Sequence, residues 1–398
     1  MTVELRPLGV KCNLACHYCY QNPQREAENY KKSYDMNKMK AALLKEGRDF
    51  SIFGGEALLV PIEDLEDLWY FGYENFGKNS IQTNGTLITS KHIELFKKYN
   101  VSVGISIDGP GELNDIRWAN SLEQTRKLSQ QTMDNIKLLL KNQVRPGLII
   151  TLHKYNASKD KLERMAQWFS ELDELGIKSA RLHLLEVENS SVRDLYSLSI
   201  EENINALLFF NKLSNKLKNL RFDIFDEITS LLLANDIQVS CTWKACDPFT
   251  TDAVRGIEGN GQASNCGRTN KEGIDFVKDQ LPSYMRYISL YHTEQSQGGC
   301  KGCRFFLMCK GHCPGTSLAG DWRNKTEHCE IWKKLFEIQE KAIIQAGKVP
   351  LSKFKKLKEL EECFIDAWSQ GKNPSIYTTL KQAEIQAKKE KELENASC

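Results

Sequence analysis

The sequence predicts an α/β fold in which six βα units form a barrel or partial barrel, followed by a cysteine-dense module and a helical tail. From residue 1 to about 240, short β-rich runs alternate with longer amphipathic ones, the string of elements expected of parallel strands joined by crossover helices. Between Cys241 and Cys329 the character changes to eight cysteines in 89 residues, with many glycines and few long periodic segments. Beyond Ile331 the chain reads as Lys- and Glu-rich helices, broken near Gly347 to Pro350 and Gly371 to Pro374. The domains expected are therefore 1–235, 236–335 and 336–398. A flat doubly wound sheet would give the same string of elements in the first of them.

The candidate strands are Val3 to Pro7, Asp49 to Phe53, Ser80 to Thr83, Val101 to Ile107, Gly147 to Leu152 and Ser179 to Leu185. Helices are expected over Asp35 to Lys45, Glu63 to Phe71, Lys91 to Tyr99, Leu122 to Asn142, Lys159 to Leu175 and Glu201 to Leu217, where apolar residues recur at helical spacing. The cysteine-dense module is too poor in periodic apolar segments to fold on a core alone. Bound metal would supply its missing cross-links.

Bulk properties exclude several classes. With 398 residues, 41% hydrophobic and 27% charged, disorder is not expected. Fifty-four basic against fifty-two acidic side chains leave +2, no electrostatic reason to expect nucleic acid or an anionic membrane as partner. Glu4 and Arg6 interrupt the first apolar stretch, so no signal peptide is read and a cytoplasmic location is expected. Thirteen cysteines without a secretion signal point to metal ligation rather than disulfides, and an odd number cannot pair completely.

Cys12, Cys16 and Cys19 place three thiolates in a loop of eight residues directly after the first strand. A cubane [4Fe-4S] cluster ordinarily takes four cysteines, so three leave one iron open for a substrate, as catalytic zinc sites keep an open position. The competing reading is a zinc knuckle with His17 as fourth ligand, which would strain an adjacent ring and thiolate onto one metal. Polar strand ends follow. Gly54-Gly55-Glu56 ends the second strand, Gln82-Thr83-Asn84-Gly85 the third and Ser106-Ile107-Asp108-Gly109 the fourth. Barrel-type folds put their sites at such ends, although Asn-Gly and Asp-Gly are also ordinary turn formers.

The C-x3-C-x2-C spacing, flanked by Tyr18 and Tyr20, resembles the signature of the radical S-adenosylmethionine superfamily. The resemblance implies that the open iron chelates S-adenosylmethionine and that one electron from the cluster, supplied by a reductant such as flavodoxin or ferredoxin, cleaves it to a 5′-deoxyadenosyl radical. It also implies cofactor contacts from Tyr18, Tyr20, Gly54, Gly55, Glu56, Gln82, Thr83, Asn84, Ser106 and Asp108, with Gly54 and Gly55 approaching the bound ligand closely. Ala57 departs from the family, many members of which carry proline there.

The later cysteines, Cys246-x14-Gly261-x4-Cys266, then Cys300-x2-Cys303-x5-Cys309-x3-Cys313 and Cys329, resemble the SPASM extension of peptide- and protein-modifying radical enzymes, with Cys241 as an additional ligand. By that resemblance one auxiliary [4Fe-4S] cluster takes Cys241, Cys246, Cys266 and Cys313 and another takes Cys300, Cys303, Cys309 and Cys329, three clusters in all. Two zinc ribbons are the alternative. Trp243 reads as a shield for a cluster, and Cys363 and Cys398 have no partner motif.

The general outline resembles anaerobic sulfatase-maturating enzymes and maturases of ribosomally made peptides. Sulfatase maturases use an aspartate directly after the cysteine matching Cys266 as proton acceptor, and here that position is Gly267. The expected function is therefore oxidative modification of a peptide or protein residue by cross-linking, cyclisation or a related reaction, with formylglycine formation as the alternative and a non-catalytic iron–sulfur carrier as the alternative of another class. Glu186, Glu188 and Asp226 are the candidate bases, whereas His183 reads as a hydrogen-bonded core residue. Only eleven residues precede Cys12, so a leader peptide would need a separate leader-binding protein or another surface. The tail from Lys353 to Glu394, with Phe364 and Trp368, reads as a cap on the core before it reads as such a surface.

Overall fold

A computed structural model describes residues 3–28, 33–186, 189–246, 254–269 and 283–385. The chain divides into two compact units, Met1–Ile224 with Val254–Asp279 and Phe225–Ala253 with Gln280–Cys398.

The first unit holds a nine-stranded sheet built of β1 (Val3–Arg6), β2 (Phe50–Ile52), β3 (Asn79–Thr83), β4 (Val101–Ser106), β5 (Gly147–Leu152), β6 (Ser179–Leu184), β7 (Arg221–Phe222), β8 (Arg255–Glu258) and β9 (Ala263–Ser264). Its order is β7-β6-β5-β4-β3-β2-β1-β8-β9, parallel except for the final β8–β9 hairpin. All six predicted strands are present. Two features differ from the expectation: the two-residue β7 extends the sheet, and β8 returns from the segment assigned by sequence to the cysteine-dense module to pair with β1, in the register Val3↔Arg255.

The crossover helices follow their local signals. Asp35 caps Met36–Glu46 by accepting from Lys38 N, and Gly47 ends it at φ 62°. Thr89, Ser121 and Ser199 cap Ser90–Lys98, Leu122–Lys141 and Ile200–Ser214 in the same way, while Gly77 at φ 72° ends Ile62–Phe76. Alternation along the strands then sorts the two sheet faces. Val3, Leu5, Phe50, Ile52, Ile81, Val103, Ile105, Ile150, Leu152 and Leu182 are all buried. The alternate positions carry Glu4, Ser51, Ser80, Gln82, Ser102, Ser106, Thr151, Arg181 and His183. Parallel sheets are usually apolar on both faces. Here one face is polar, which is chemistry a ligand uses and a core does not.

The second unit packs aromatic side chains around Arg286, which is 1% exposed. Its guanidinium donates to the carbonyls of Trp322 (2.6 Å), Asn324 (2.9 Å), Lys310 and His312 (both 3.3 Å), so one side chain fixes the loop between Cys309 and Cys313 and the segment leading to Cys329. Trp243 is buried with its ring 4.8 Å from His312 and 5.7 Å from Trp332, and its indole donates to Glu227 at 2.7 Å. In the tail, Phe364 and Trp368 turn inward, Trp368 lying 5.3 Å from Tyr287 and 6.0 Å from Phe306. That face of the tail is a cap on this unit. Among the described residues no helix is long and apolar enough to cross a membrane.

Candidate active site

The three-cysteine loop follows β1 and takes its shape from hydrogen bonds to other strand ends. Gly55 N donates to Gly9 O (3.0 Å) and Glu56 N to Lys11 O (2.8 Å), while Ala15 N and His17 N donate to Trp118 O (2.8 Å) and Ile116 O (3.0 Å). Asn13 completes the suspension by donating to Thr86 Oγ1 at 2.9 Å and accepting from Asn84 at 2.8 Å. A Cβ on Gly54 would stand 2.4 Å from Gly9 O, and one on Gly55 2.2 Å from Lys11 O. These glycines allow a close approach to the chain leading into the cysteine loop.

Two expected cofactor contacts are spent inside the protein. Glu56 is 2% exposed and its carboxylate accepts from Thr83 Oγ1 (2.6 Å), Asn84 N (2.8 Å) and Leu58 N (2.9 Å). Burial raises its carboxyl above the usual range, and these three donors offset that in part. Asp108 is fully buried, accepts from the Tyr18 hydroxyl and from Thr151 N (2.9 Å), and lies 3.6 Å from His153 Nε2. Tyr155 N donates to His153 Nδ1, which leaves Nε2 on the side of Asp108. Arg117 donates to Tyr18 at 3.0 Å and stands 4.0 Å from Asp108. Burial pushes the Asp108 carboxyl up, but Arg117, His153 and Tyr18 together outweigh it and hold it below the usual range. Both carboxylates therefore fix neighbours: Glu56 ties the second strand end to the third, and Asp108 orients the tyrosine between Cys16 and Cys19. Gln82 and Ser106 lie on the polar sheet face, bonded to each other at 2.8 Å.

Burial raises the Cys12 thiol, and it pushes Cys16 up to about 12, with Cys19 and Cys12 adding and Arg117 opposing. The sulfurs also attract donors: Leu14 N stands 3.4 Å from Cys12 Sγ, and Arg25 Nη2 stands 3.3 Å from Cys19 Sγ. Three thiols, two of them with donors aimed at sulfur, are the donor set of a cluster site. Two buried amides nearby have atoms without a hydrogen-bond partner, Gln21 Nε2 just past Cys19 and both ends of Asn265 just before Cys266. Such orphans mark places where a bound group supplies the missing partner, an acceptor for the amide nitrogens and a donor for Asn265 Oδ1. Among the described residues no three His, Cys, Asp or Glu side chains are gathered tightly enough for one metal ion; a cube with one iron per thiolate asks for a wider spacing. The residues present fit the cluster.

Gly267 is buried, and a Cβ there would lie 3.2 Å from the Tyr20 ring, 3.3 Å from Arg6 Nη1 and 3.6 Å from Gln21 Nε2. Arg6 is itself anchored to Ser264 Oγ (2.6 Å), Asn265 O (2.8 Å) and Glu258 (2.5 Å). Burial raises the Tyr20 hydroxyl well above its usual value, with the charges of Glu4, Cys266 and Cys19 adding to it. Arg268 forms a two-point ion pair with Glu186, with Nε at 2.7 Å, and stands 3.4 Å from His183 Nδ1. Glu188 lies outside the described residues, and Asp226 is exposed on the helix Asp223–Leu232 of the second unit.

In the second unit, burial pushes Cys300 up to about 12 and Cys309 well above its usual value, with Cys303 and Cys329 acting on both. These four are the cysteines assigned by resemblance to one cluster.

Sequence reasoning missed Arg25, Arg117, His153, Asn13 and Arg268. Of these only Arg25 has a local signal: Pro23 opens a short helix, Asn22–Glu26, that returns Arg25 to the loop just left.

The family profile described as Radical SAM superfamily matches residues 7–169, the stretch holding the cysteine loop and the Glu56 and Asp108 contacts. An uncharacterized protein of Methanocaldococcus jannaschii, MJ0907, is 32% identical over 217 residues, 52% of this chain and 68% of that protein. The chain belongs to the radical SAM superfamily, which implies S-adenosylmethionine and a [4Fe-4S] cluster. Within it the chain is similar to SPASM-type maturases. The serine-type anaerobic sulfatase-maturating enzyme of Bacteroides thetaiotaomicron is 26% identical over 352 residues, 78% of this chain and 82% of the relative. Native anSMEcpe with bound AdoMet and Cp18Cys peptide shares the fold at TM-score 0.61 and 20% identity, covering 87% of this chain and 98% of that one. Streptococcus suis SuiB bound to precursor peptide SuiA shares it at 0.52 and 14%, covering 83% and 76%.

Proposed function

We propose that this chain oxidatively modifies a residue of a ribosomally made peptide, by cross-linking, cyclisation or a related reaction. Cys12, Cys16 and Cys19 would hold the cluster that binds S-adenosylmethionine, with the eight cysteines from Cys241 to Cys329 divided as expected between two auxiliary [4Fe-4S] clusters. When bound, the first cluster and its cofactor supply the 5′-deoxyadenosyl radical that takes a hydrogen atom from the substrate. Around it the protein orients: Asp108 and Arg117 hold Tyr18, and Glu56 with Asn84 and Asn13 holds the loop. Gln82, Ser106 and the Arg268–Glu186 pair offer hydrogen bonds to a peptide backbone along the polar sheet face. Glu186, with both oxygens held by Arg268, enters this reading as a binding group and not as the base. A peptide substrate is supported by the similar structures, solved with the Cp18Cys peptide and with SuiA. A reductant of flavodoxin or ferredoxin type and a separate leader-binding protein complete the proposal.

The observation that carries the choice of reaction is Gly267, which supplies no side-chain base and would set a Cβ 3.2 Å from the Tyr20 ring and 3.3 Å from Arg6 Nη1. A second reading, formylglycine formation in a sulfatase, is favoured by the sequence similarity spanning 82% of a serine-type sulfatase maturase. The test is anaerobic reaction of the reconstituted enzyme with a short peptide encoded beside its gene and, separately, with sulfatase-type Ser and Cys peptides. Loss of two hydrogens with a gap in backbone fragments is the expected result. Conversion of a Ser or Cys peptide to its aldehyde, with the other peptide unmodified, establishes the second reading. Absence of S-adenosylmethionine cleavage under reductant would leave only the electron-carrier reading.

A further inference from the structure

Arg25 sits on the last turn of the short helix Asn22–Glu26, yet its guanidinium points back at the loop it has left. Three contacts fix it. Nε donates to Val10 O at 2.9 Å, Nη1 to Asn22 Oδ1 at 2.7 Å and Nη2 to Cys19 Sγ at 3.3 Å. The first two hold the planar fork in place, so the third is imposed by geometry and does not depend on a mobile side chain finding the sulfur. The charges that act on this guanidinium most are those of Cys19, Cys12 and Cys16. Arg117 differs: it is shared between the Tyr18 hydroxyl and the Asp108 carboxylate. Arg25 is directed at sulfur.

From this geometry we propose that Arg25 is a positioning residue that sets the reduction potential of the first cluster. The proposal rests on the reading that Cys12, Cys16 and Cys19 hold a four-iron cluster. Reduction adds one electron to that cluster and leaves it more negative. A fixed cation donating to a ligand sulfur stabilises the reduced form more than the oxidised one and so raises the potential, bringing the cluster within reach of a cellular reductant. Removing the charge makes the cluster harder to reduce, with no change in the ligands.

The test is an EPR-monitored redox titration of the full-length reconstituted enzyme, with S-adenosylmethionine added to identify the first cluster by the signal that responds to it. Arg25→Ala and Arg25→Gln, at iron content equal to the parent, are expected to lower the ratio of reduced to oxidised first cluster about tenfold at a fixed applied potential, a shift of 59 mV for a one-electron couple. Arg25→Lys keeps the charge and is expected to stay within about threefold. If Arg25→Ala does not hold iron, Arg25→Gln carries the comparison. A Gln variant with full iron content and an unchanged titration overturns the proposal, and so does a Lys variant that shifts as far as Gln. A parent enzyme with no signal that responds to S-adenosylmethionine fails the cluster reading instead, before any variant is compared.

Discussion

The carboxylate of Glu56 accepts the backbone N–H of Asn84 at 2.8 Å, and so ties the turn after β2 to the turn after β3. With Thr83 and Leu58 also donating, both oxygens are used in a site 2% exposed. Glu56→Gln replaces one acceptor oxygen by an NH2 that faces donors, and is expected to cost about 1–3 kcal/mol in denaturant unfolding. Its pH dependence has a definite sign. The folded carboxyl lies above its usual range because of burial, so in the interval between the two values the folded chain binds the proton more readily. Its contribution to stability therefore falls as pH rises through that interval, and Glu56→Gln is expected to flatten that slope.

Asp108 titrates the other way. Although burial opposes it, Arg117, His153 and Tyr18 hold its carboxyl below the usual value. Stability from this group is present above the ordinary carboxylate range and is lost as pH falls through the folded value. Asp108→Asn leaves Arg117, its side chain 11% exposed, without its counter-charge, and a loss of about 3 kcal/mol is expected, read by chemical denaturation at neutral pH.

Gly55→Ala is a test of how the cysteine loop is held. The added methyl would stand 2.2 Å from Lys11 O and 2.4 Å from Val10 O, both backbone atoms, so the loop itself must move. Anaerobic reconstitution is expected to yield about four fewer iron atoms per chain than the parent, the content of one cube. Circular dichroism is expected to show the sheet unchanged. Normal iron content would mean the loop tolerates displacement from the end of β2.

Gly267→Asp asks whether a carboxylate alone converts the chain to formylglycine chemistry. Its Cβ would press on Tyr20 at 3.2 Å and lie 3.3 Å from Arg6 Nη1. The acid would pair with that guanidinium rather than wait for a proton. No gain of aldehyde from Ser or Cys peptides is expected by mass spectrometry, at a stability cost of about 1–3 kcal/mol for the overpacking.

Much of the site's outline was legible because it is local. Cys12, Cys16 and Cys19 declare themselves by spacing, and the six main strands by alternation closed with polar turns. Caps such as Asp35 and Ser121 placed helix starts to within a residue of the predicted ones. What was not legible is long-range or directional. The strand Arg255–Glu258 is four residues, one a glycine and two charged, and its pairing with β1 some 250 residues away and with the two-residue β9 makes it a strand. The turns carrying Glu56 and Asp108 were legible, but not the hydrogen bonds their carboxylates make within the protein, because spacing does not reveal which way a side chain points. Arg117 lies 101 residues from Cys16 in sequence, with no motif to join them.

The hydrogen bonds from Gly55 and Glu56 to Gly9 and Lys11 also impose an order on biogenesis. As the chain leaves the ribosome, Cys12, Cys16 and Cys19 emerge first, but their carbonyl scaffold has no partner until β2 and its glycines have followed and docked beside β1. Iron and sulfide offered earlier would meet three thiols on an unshaped tether. The loop has its full set of backbone hydrogen bonds only once residues 55, 56, 116 and 118 are in place, so a cluster held there would enter a folded strand end and not a nascent tether.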